Sequence, residues 1–252
     1  MRLAVITGAS SGLGQETARQ LASSKRCDSL LLIARRSEKL KALAKELEEQ
    51  GVLSIVLPLD LQADDASSKI KDQVVDLQKQ GHQLTWLVLA AGFGKLGPLV
   101  KNKEEALNML NLNCVALTAI CADLLPLLHG YCLLFASVAA YVPQPNFAVY
   151  AASKAYVLSL AQALNCENEN NIIAVCPNPV ETEFFQDIGG NPAGIKKIGI
   201  EKASTVVRKA IRKVERGRFV SISSPLAKDI QLASKLLPHR FILRIEKLLG
   251  IY

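Results

Sequence analysis

Short apolar runs without period-two alternation recur along the chain, at Leu3–Thr7, Ser29–Ala34, Leu53–Leu57, Thr85–Ala90, Tyr131–Ala136 and Ile172–Cys176. Strands covered by helices on both faces read this way, because neither side of the pleat meets water. Between them lie stretches with helical spacing: Gly12–Ser24, Ser37–Gln50, Asp65–Gln80, Lys103–Leu128, Tyr150–Asn165 and Glu201–Arg216. Ser37 is placed to cap the second helix and Gly51 to end it. A seventh strand is expected at Arg218–Ser223. This β-α alternation predicts an α/β fold with a doubly wound parallel sheet, about seven strands wide, and helices on both faces. No Pro-, Gly- or Ser-rich linker interrupts it, so residues 1–224 read as a single domain.

Beyond that point the pattern changes. Leu226, Ile230, Ala233 and Leu237 share a helical face, with Lys228, Gln231 and Lys235 opposite. After Pro238 a second apolar stripe holds Phe241, Ile242, Ile245, Leu248 and Leu249. Residues 225–252 are therefore predicted to form an amphipathic helical extension. Residues 180–199 contain Gly189, Gly190, Asn191, Pro192 and Gly194. A loop of this composition, just past the C-terminal end of a strand, predicts a lid.

Composition narrows the classes. With 252 residues, 50% hydrophobic and 21% charged, the chain can bury a core, which excludes a disordered tail, a collagen-like repeat or a small disulfide scaffold. Six cysteines never fall as C-x-x-C and histidines number three, so no metal site is expected. Those thiols fit small buried groups in a reducing cytoplasm. No secretory signal fits the N-terminus, and the quasi-apolar stretch 115–128 is broken by Asp123 and Pro126, short of the roughly 18 residues that span a bilayer. The expectation is a soluble cytoplasmic protein.

The net charge of +7 is unevenly placed, since residues 196–252 hold 14 Lys+Arg against 4 Asp+Glu. Such a quarter suits a solvated helix surface, an anionic ligand, nucleic acid or a membrane. Phe219, Phe241 and Tyr252 are its only aromatic residues, too few to interleave with bases, so no nucleic-acid partner is expected. A peripheral membrane contact through 225–252 stays open.

Chemistry enters at Thr7-Gly8-Ala9-Ser10-Ser11-Gly12-Leu13-Gly14, between the first strand and the first helix. A dinucleotide's pyrophosphate needs close backbone approach and free N–H groups at a helix N-terminus, and glycines supply both clearance and unusual dihedrals. Arg35 and Arg36 follow the second strand, where an acid would bind the ribose 2′-hydroxyl of NAD. A guanidinium instead grips the 2′-phosphate of NADP, so NADP(H) is expected over NAD(H). Tyr150 and Lys154, four apart, place a phenol and an ammonium on one helix face. A neighbouring cation lowers a phenol's pKa from its reference of ~10, letting it exchange a proton with an alcohol or carbonyl. Ser137, ending the fifth strand, adds a hydroxyl for the same substrate oxygen.

Together these residues resemble the short-chain dehydrogenase/reductase family, over nearly the whole chain. The resemblance implies a Rossmann-type domain and an oxidoreductase acting on CH–OH groups, with Tyr150 as general acid/base. Gly8, Ser10, Ser11, Gly12, Leu13 and Gly14 resemble the family's cofactor turn, and Asp60, followed by Leu61, resembles the acid that contacts adenine. Asn113 resembles the helix asparagine that completes a tetrad with Ser137, Tyr150 and Lys154. The resemblance implies that Lys154 binds the nicotinamide ribose and that Asn113 supports a proton relay through water. Pro177-Asn-Pro-Val-Glu-Thr182 is similar to the PGPVxT segment, which implicates Pro177, Val180 and Thr182 at the nicotinamide end.

Two positions depart from the pattern. The family's NNAG reads Leu89-Ala90-Ala91-Gly92, which retains the backbone approach at Ala91 and Gly92 but not the bracing asparagines. Asn178 replaces the glycine of PGPVxT and would tolerate a positive φ better than other residues. Phe93–Leu99, Val138–Phe147, Phe184, Phe185 and Ile188 are expected to wall the substrate site, which favours a hydrophobic ketone, aldehyde or alcohol. The family's habit implies a homo-oligomer, a dimer or tetramer. The competing function is a catalytically silent NADP-binding redox sensor or regulator, which would have no need of an intact tetrad.

Overall fold

Seven strands form one sheet in which every pairing is parallel: β1 (Arg2–Thr7), β2 (Ser29–Ala34), β3 (Leu53–Pro58), β4 (Gln83–Leu89), β5 (Tyr131–Phe135), β6 (Asn171–Val175) and β7 (Val220–Ser221). Their order is β3-β2-β1-β4-β5-β6-β7. The computed structural model describes residues 1–184, 188 and 199–248. Helices α1 (Gly12–Ser23), α2 (Ser37–Glu48), α3 (Ala66–Lys79), α4 (Lys103–Leu110), α5 (Leu117–Leu124), α6 (Ala148–Glu167) and α7 (Ala203–Val214) complete the winding. This is the doubly wound Rossmann-type fold.

Why the strands lack alternation is visible in β1. Leu3 and Val5 face one core with Ile70 and Val74 of α3, Ile120 and Leu124 of α5 and Val157 of α6. Ala4 and Ile6 face the other, with Ala18 and Leu21 of α1, Leu40 and Leu43 of α2 and Val206 and Ile211 of α7. Both sides of the pleat are dry, so both need apolar residues. Burying each such Leu or Ile stabilises the fold by about 1.5–3 kcal/mol. The seventh strand is two residues long rather than the expected six, pairing only with Ala174 and Val175 of β6. Ser37 begins α2 instead of capping it; Arg36 takes the cap position without a side-chain bond. Gly51 does close that helix, at φ +80°.

The predicted helix 103–128 is a continuous 25-residue helical stretch, Lys103–Leu127, long and apolar enough by composition to cross a membrane. Asp123 and Pro126 do not shorten it as the sequence pattern suggested. One face is core, through Ala106, Met109, Leu117, Ile120 and Leu124. Its middle is not α-helical: Asn111–Ala116 forms a wider π-helical turn between α4 and α5.

Two further helices, α8 (Pro225–Leu236) and α9 (His239–Leu248), follow β7. Their faces differ from the expected stripe. Ala227 and Ile230 turn toward the body and Gln231 Nε2 donates to Tyr141 Oη at 3.2 Å, while Leu226, Leu236 and Leu237 are exposed. The expected lid, 180–199, lies largely outside the described residues, as do Phe185 and Leu249.

Candidate active site

Strand order reverses between β1 and β4, and a cleft of about 390 Å³ opens at the C-terminal ends of the strands there. Open α/β sheets bind ligands at such a switch point, because adjacent crossovers leave in opposite directions. From β1 the chain turns through Gly8 and Gly12, at φ +68° and +55°, into α1. A Cβ on Gly8 would stand 2.8 Å from the Ala91 nitrogen, and one on Gly14 would collide with the Gly8 carbonyl. Glycine is therefore required here to pack the turn and to keep its backbone bare toward the cleft. Gly8, Ser10, Ser11, Gly12 and Leu13 all line the cleft; Gly14 lies behind them.

One end of the cleft is cationic. Arg35 and Arg36 line it, with Asp60 and Leu61 nearby on its wall. Arg36 is already engaged: it donates to Ser10 Oγ at 3.0 Å, to Ser11 Oγ at 2.7 Å and to Glu183 Oε2 at 2.8 Å. Lys39 Nζ reaches the other Glu183 oxygen at 2.5 Å, and the two cations hold that carboxyl below its ordinary range. The side chain of Arg35 is exposed beside them. Asp60 Oδ1 accepts from the Gln62 backbone at 3.1 Å, which fixes the turn after β3.

At the other end stand Ser137, Tyr150 and Lys154. Ser137 begins the turn after β5, its Oγ accepting from Ala139 N at 3.2 Å. The Tyr150 phenol shares the cleft with the Ser137 hydroxyl, and its ring stacks on Phe147 with centroids 4.3 Å apart. Burial pushes the Tyr150 hydroxyl up to about 12, the Ser137 hydroxyl pulling the other way. The expected lowering by Lys154 is not the dominant effect in this cleft. Lys154 Nζ lies 5.6 Å from the phenol ring centroid and donates to the Phe135 carbonyl at 2.9 Å. Burial also pushes Lys154 down to about 8. Desolvation thus favours the neutral form of both groups.

Asn113 sits on the π-helical turn and is fully buried. Its Oδ1 accepts from Phe93 N at 3.1 Å, while Nδ2 donates to Phe93 O at 3.0 Å and Ser153 Oγ at 3.1 Å. The side chain clamps the segment after β4 rather than lining the cleft. A Cβ on Gly92 would meet Asn113 Oδ1 at 2.9 Å and Lys154 Nζ at 3.4 Å, so glycine is what lets this segment pass between them. Where the resembled family pattern has asparagines and this chain has Leu89 and Ala90, Thr7 Oγ1 accepts from Ala91 N at 3.3 Å and Leu89 joins the core.

The segment after β6 closes the site. Pro177, Val180 and Thr182 line the cleft, with Thr182 against Gly12. Asn178 is not at positive φ, so the tolerance of asparagine for that conformation is not used here. Its backbone N–H donates to Glu201 Oε2 at 3.0 Å and its Nδ2 to Ser224 Oγ at 2.8 Å, tying β6 to the segments around β7. Asparagine is present for its amide. Phe93, Leu96, Val138, Phe147 and Phe184 form an apolar wall. Ile188 is buried, its carbonyl accepting from Leu96 N at 2.8 Å. Among the described residues no His/Cys/Asp/Glu cluster could hold a metal ion.

Glu183, Ser153 and the Phe135 carbonyl were not anticipated. Ser153 lies inside the Tyr150–Lys154 motif and was open to suspicion. Nothing in sequence links Glu183 to Arg36, 147 positions away.

Residues 2–192 match the family model for short chain dehydrogenase. The chain belongs to the short-chain dehydrogenase family. This short-chain dehydrogenase is 34% identical over 173 residues to a very-long-chain 3-oxoacyl-CoA reductase of Neurospora crassa, covering 65% of this chain and 51% of that protein. It is 33% identical to an NADP-dependent 3-hydroxy acid dehydrogenase of Schizosaccharomyces pombe, covering 71% and 72%. The chain thus spans about half the length of the first relative. A short-chain dehydrogenase from Sphingobium yanoikuyae, solved in complex with NADPH, superposes with a TM-score of 0.77 at 28% identity, covering 88% of this chain and 87% of that one.

Proposed function

We propose that this dehydrogenase interconverts hydrophobic ketones or aldehydes and their alcohols, using NADP(H) in preference to NAD(H). One observation carries the reading: a single cleft holds Tyr150, Ser137 and Lys154 at one end, and Arg35 and Arg36 at the other. The bare glycine turn between them fits a pyrophosphate at the N-terminus of α1. Bound in the cleft, the nicotinamide ring supplies or accepts the hydride.

The chain's own residues manage the proton. Tyr150 Oη gives it to the carbonyl oxygen in reduction and takes it back in oxidation. Ser137 Oγ holds that oxygen. Lys154, buried one helical turn from Tyr150, offsets the charge of the phenolate and offers its remaining N–H bonds to a ribose hydroxyl. Asn113 is a positioning residue, clamping Phe93 and Ser153 around the site. The apolar wall of Phe93, Leu96, Phe147 and Phe184 excludes water and selects an apolar substrate. Relatives named for 3-oxoacyl and 3-hydroxy acid substrates support a ketone on an acyl chain as the class to test first.

A silent redox sensor is the weaker reading. Burying an ammonium against its hydration is costly, and only proton chemistry gains from Lys154 in this place. Exposed Leu107, Leu110, Val115 and Tyr156 on the 103–127 and α6 helices support a homo-oligomer that covers them. Six free thiols, four of them buried, fit a cytoplasmic site for the protein.

The test is to follow reduced-nicotinamide absorbance with NADPH and NADH against a panel of ketones, 3-oxoacyl thioesters included. Turnover with NADPH, and a loss of NADPH but not NADH affinity in Arg35→Ala, is the expected result. Turnover with NADH alone would overturn the cofactor assignment, and none with any carbonyl would overturn the activity.

A further inference from the structure

Among the described residues, one face of the last helix has no partner. α9 packs on α8, and α8 in turn packs on the turn Val138–Tyr141 that follows Ser137. Ile242 and Leu243 of α9 face inward, half-buried. Phe241, Ile245 and Leu248 face out, at 52%, 40% and 86% exposure. Arg240, Arg244 and Lys247 are also exposed, and at 100° per residue they project along the flank of that same outer face. On α8 the pattern repeats, with Leu232 and Leu236 exposed between Lys228 and Lys235. A soluble helix puts its apolar stripe inward and its charges outward. Here large apolar and basic side chains share the outer face.

We infer that this helix pair docks on an anionic lipid bilayer, with Phe241, Ile245 and Leu248 entering the headgroup boundary and the flanking cations meeting lipid phosphates and carboxylates. Three features support the choice. An apolar stripe flanked by Lys and Arg is the pattern of helices that lie in the membrane interface. Residues 196–252, with 14 Lys+Arg against 4 Asp+Glu, add a positive field that an anionic surface complements. A second copy of the chain suits the face poorly. A two-fold contact sets each patch against itself, so Arg240, Arg244 and Lys247, with Lys228 and Lys235, would face their own kind with Asp229 as the one exposed acid among the described side chains of the two helices. The inference is independent of the catalytic reading, since it uses no residue of the cleft.

The experiment sediments the purified full-length protein with phosphatidylcholine vesicles that contain or lack phosphatidylserine, at low and raised NaCl. The protein should pellet with the phosphatidylserine vesicles at low salt and return to the supernatant as screening rises. Arg240→Glu/Arg244→Glu and, separately, Phe241→Ser/Leu248→Ser should stay in the supernatant. All four positions are outside the core, so both variants should keep the wild-type circular dichroism and dinucleotide affinity. The inference is overturned if the wild type never pellets, or if the charge-reversed variant pellets as fully as the wild type. It is equally overturned if light scattering shows a dimer that these substitutions split and that does not itself pellet, which would assign the face to a second copy.

Discussion

Arg36 and Glu183, 147 positions apart in sequence, meet across the mouth of the cleft at 2.8 Å, while the same guanidinium bonds the hydroxyls of Ser10 and Ser11. The segment after β6 is thereby tied to the segment after β2, directly over the end assigned to the adenosine ribose. A carboxylate occupies the cation that a 2′-phosphate would use.

Removing that charge should favour the phosphorylated cofactor. Both side chains are close to half exposed, and exposed ion pairs are worth about 0.2–1 kcal/mol. Glu183→Gln should therefore tighten NADPH by up to about fivefold and leave NADH nearly unchanged. Fluorescence titration of both cofactors measures this. An equal shift for both would show that Glu183 does not oppose the 2′-phosphate.

Lys154 is held at a cost. Its pKa of about 8 against an ordinary 10.5 corresponds to roughly 3 kcal/mol of unfavourable ammonium burial. Losing its bond to the Phe135 carbonyl offsets part of this, so Lys154→Met should gain about 1–2 kcal/mol of stability while losing turnover. The sign with pH follows. The folded chain releases the lysine proton near 8 and the unfolded chain near 10.5, so wild-type stability rises across that interval. The advantage of Lys154→Met should be full below pH 8, shrink as pH rises and reverse by 10.5, where only the lost Phe135 bond remains. Thermal melts of both proteins over this range decide it; a constant gap would contradict the burial argument.

Rate profiles should differ by direction. With Tyr150 pushed up to about 12, the phenol is protonated through neutrality, ready to act as acid. Carbonyl reduction should not rise with pH above neutrality, since the phenol stays protonated and Lys154 loses its proton near 8, while alcohol oxidation, which needs the phenolate, should rise. Oxidation that falls as pH rises would assign the base to another group.

The strands, the glycine turn and the Tyr150–Lys154 pair were legible because each depends on local pattern: apolar runs, a strand–helix junction, a one-turn spacing. What escaped depends on contacts between distant segments. The π-helical turn that carries Asn113 leaves no mark on hydrophobic periodicity, since it alters backbone hydrogen bonding rather than side-chain type. Asn178 was read by its backbone tolerance, whereas its role is an amide bond to Ser224. The inward face of α8 was misplaced because Ala227, Gln231 and Ser234 pack inward despite their modest hydrophobicity, while larger leucines stay outside. The pKa of Tyr150 was misjudged because sequence shows a neighbouring cation but not the burial that outweighs it.

The central claim is that Tyr150 transfers the proton. Tyr150→Phe keeps the ring stacked on Phe147 and removes only the hydroxyl, so the pocket and the cofactor cleft should stay intact. Single-turnover consumption of NADPH with a hydrophobic ketone, measured beside NADPH affinity, isolates the step. The account predicts a rate loss of about 10²–10⁴ with unchanged affinity. A variant that reduces the ketone at near wild-type rate would contradict it.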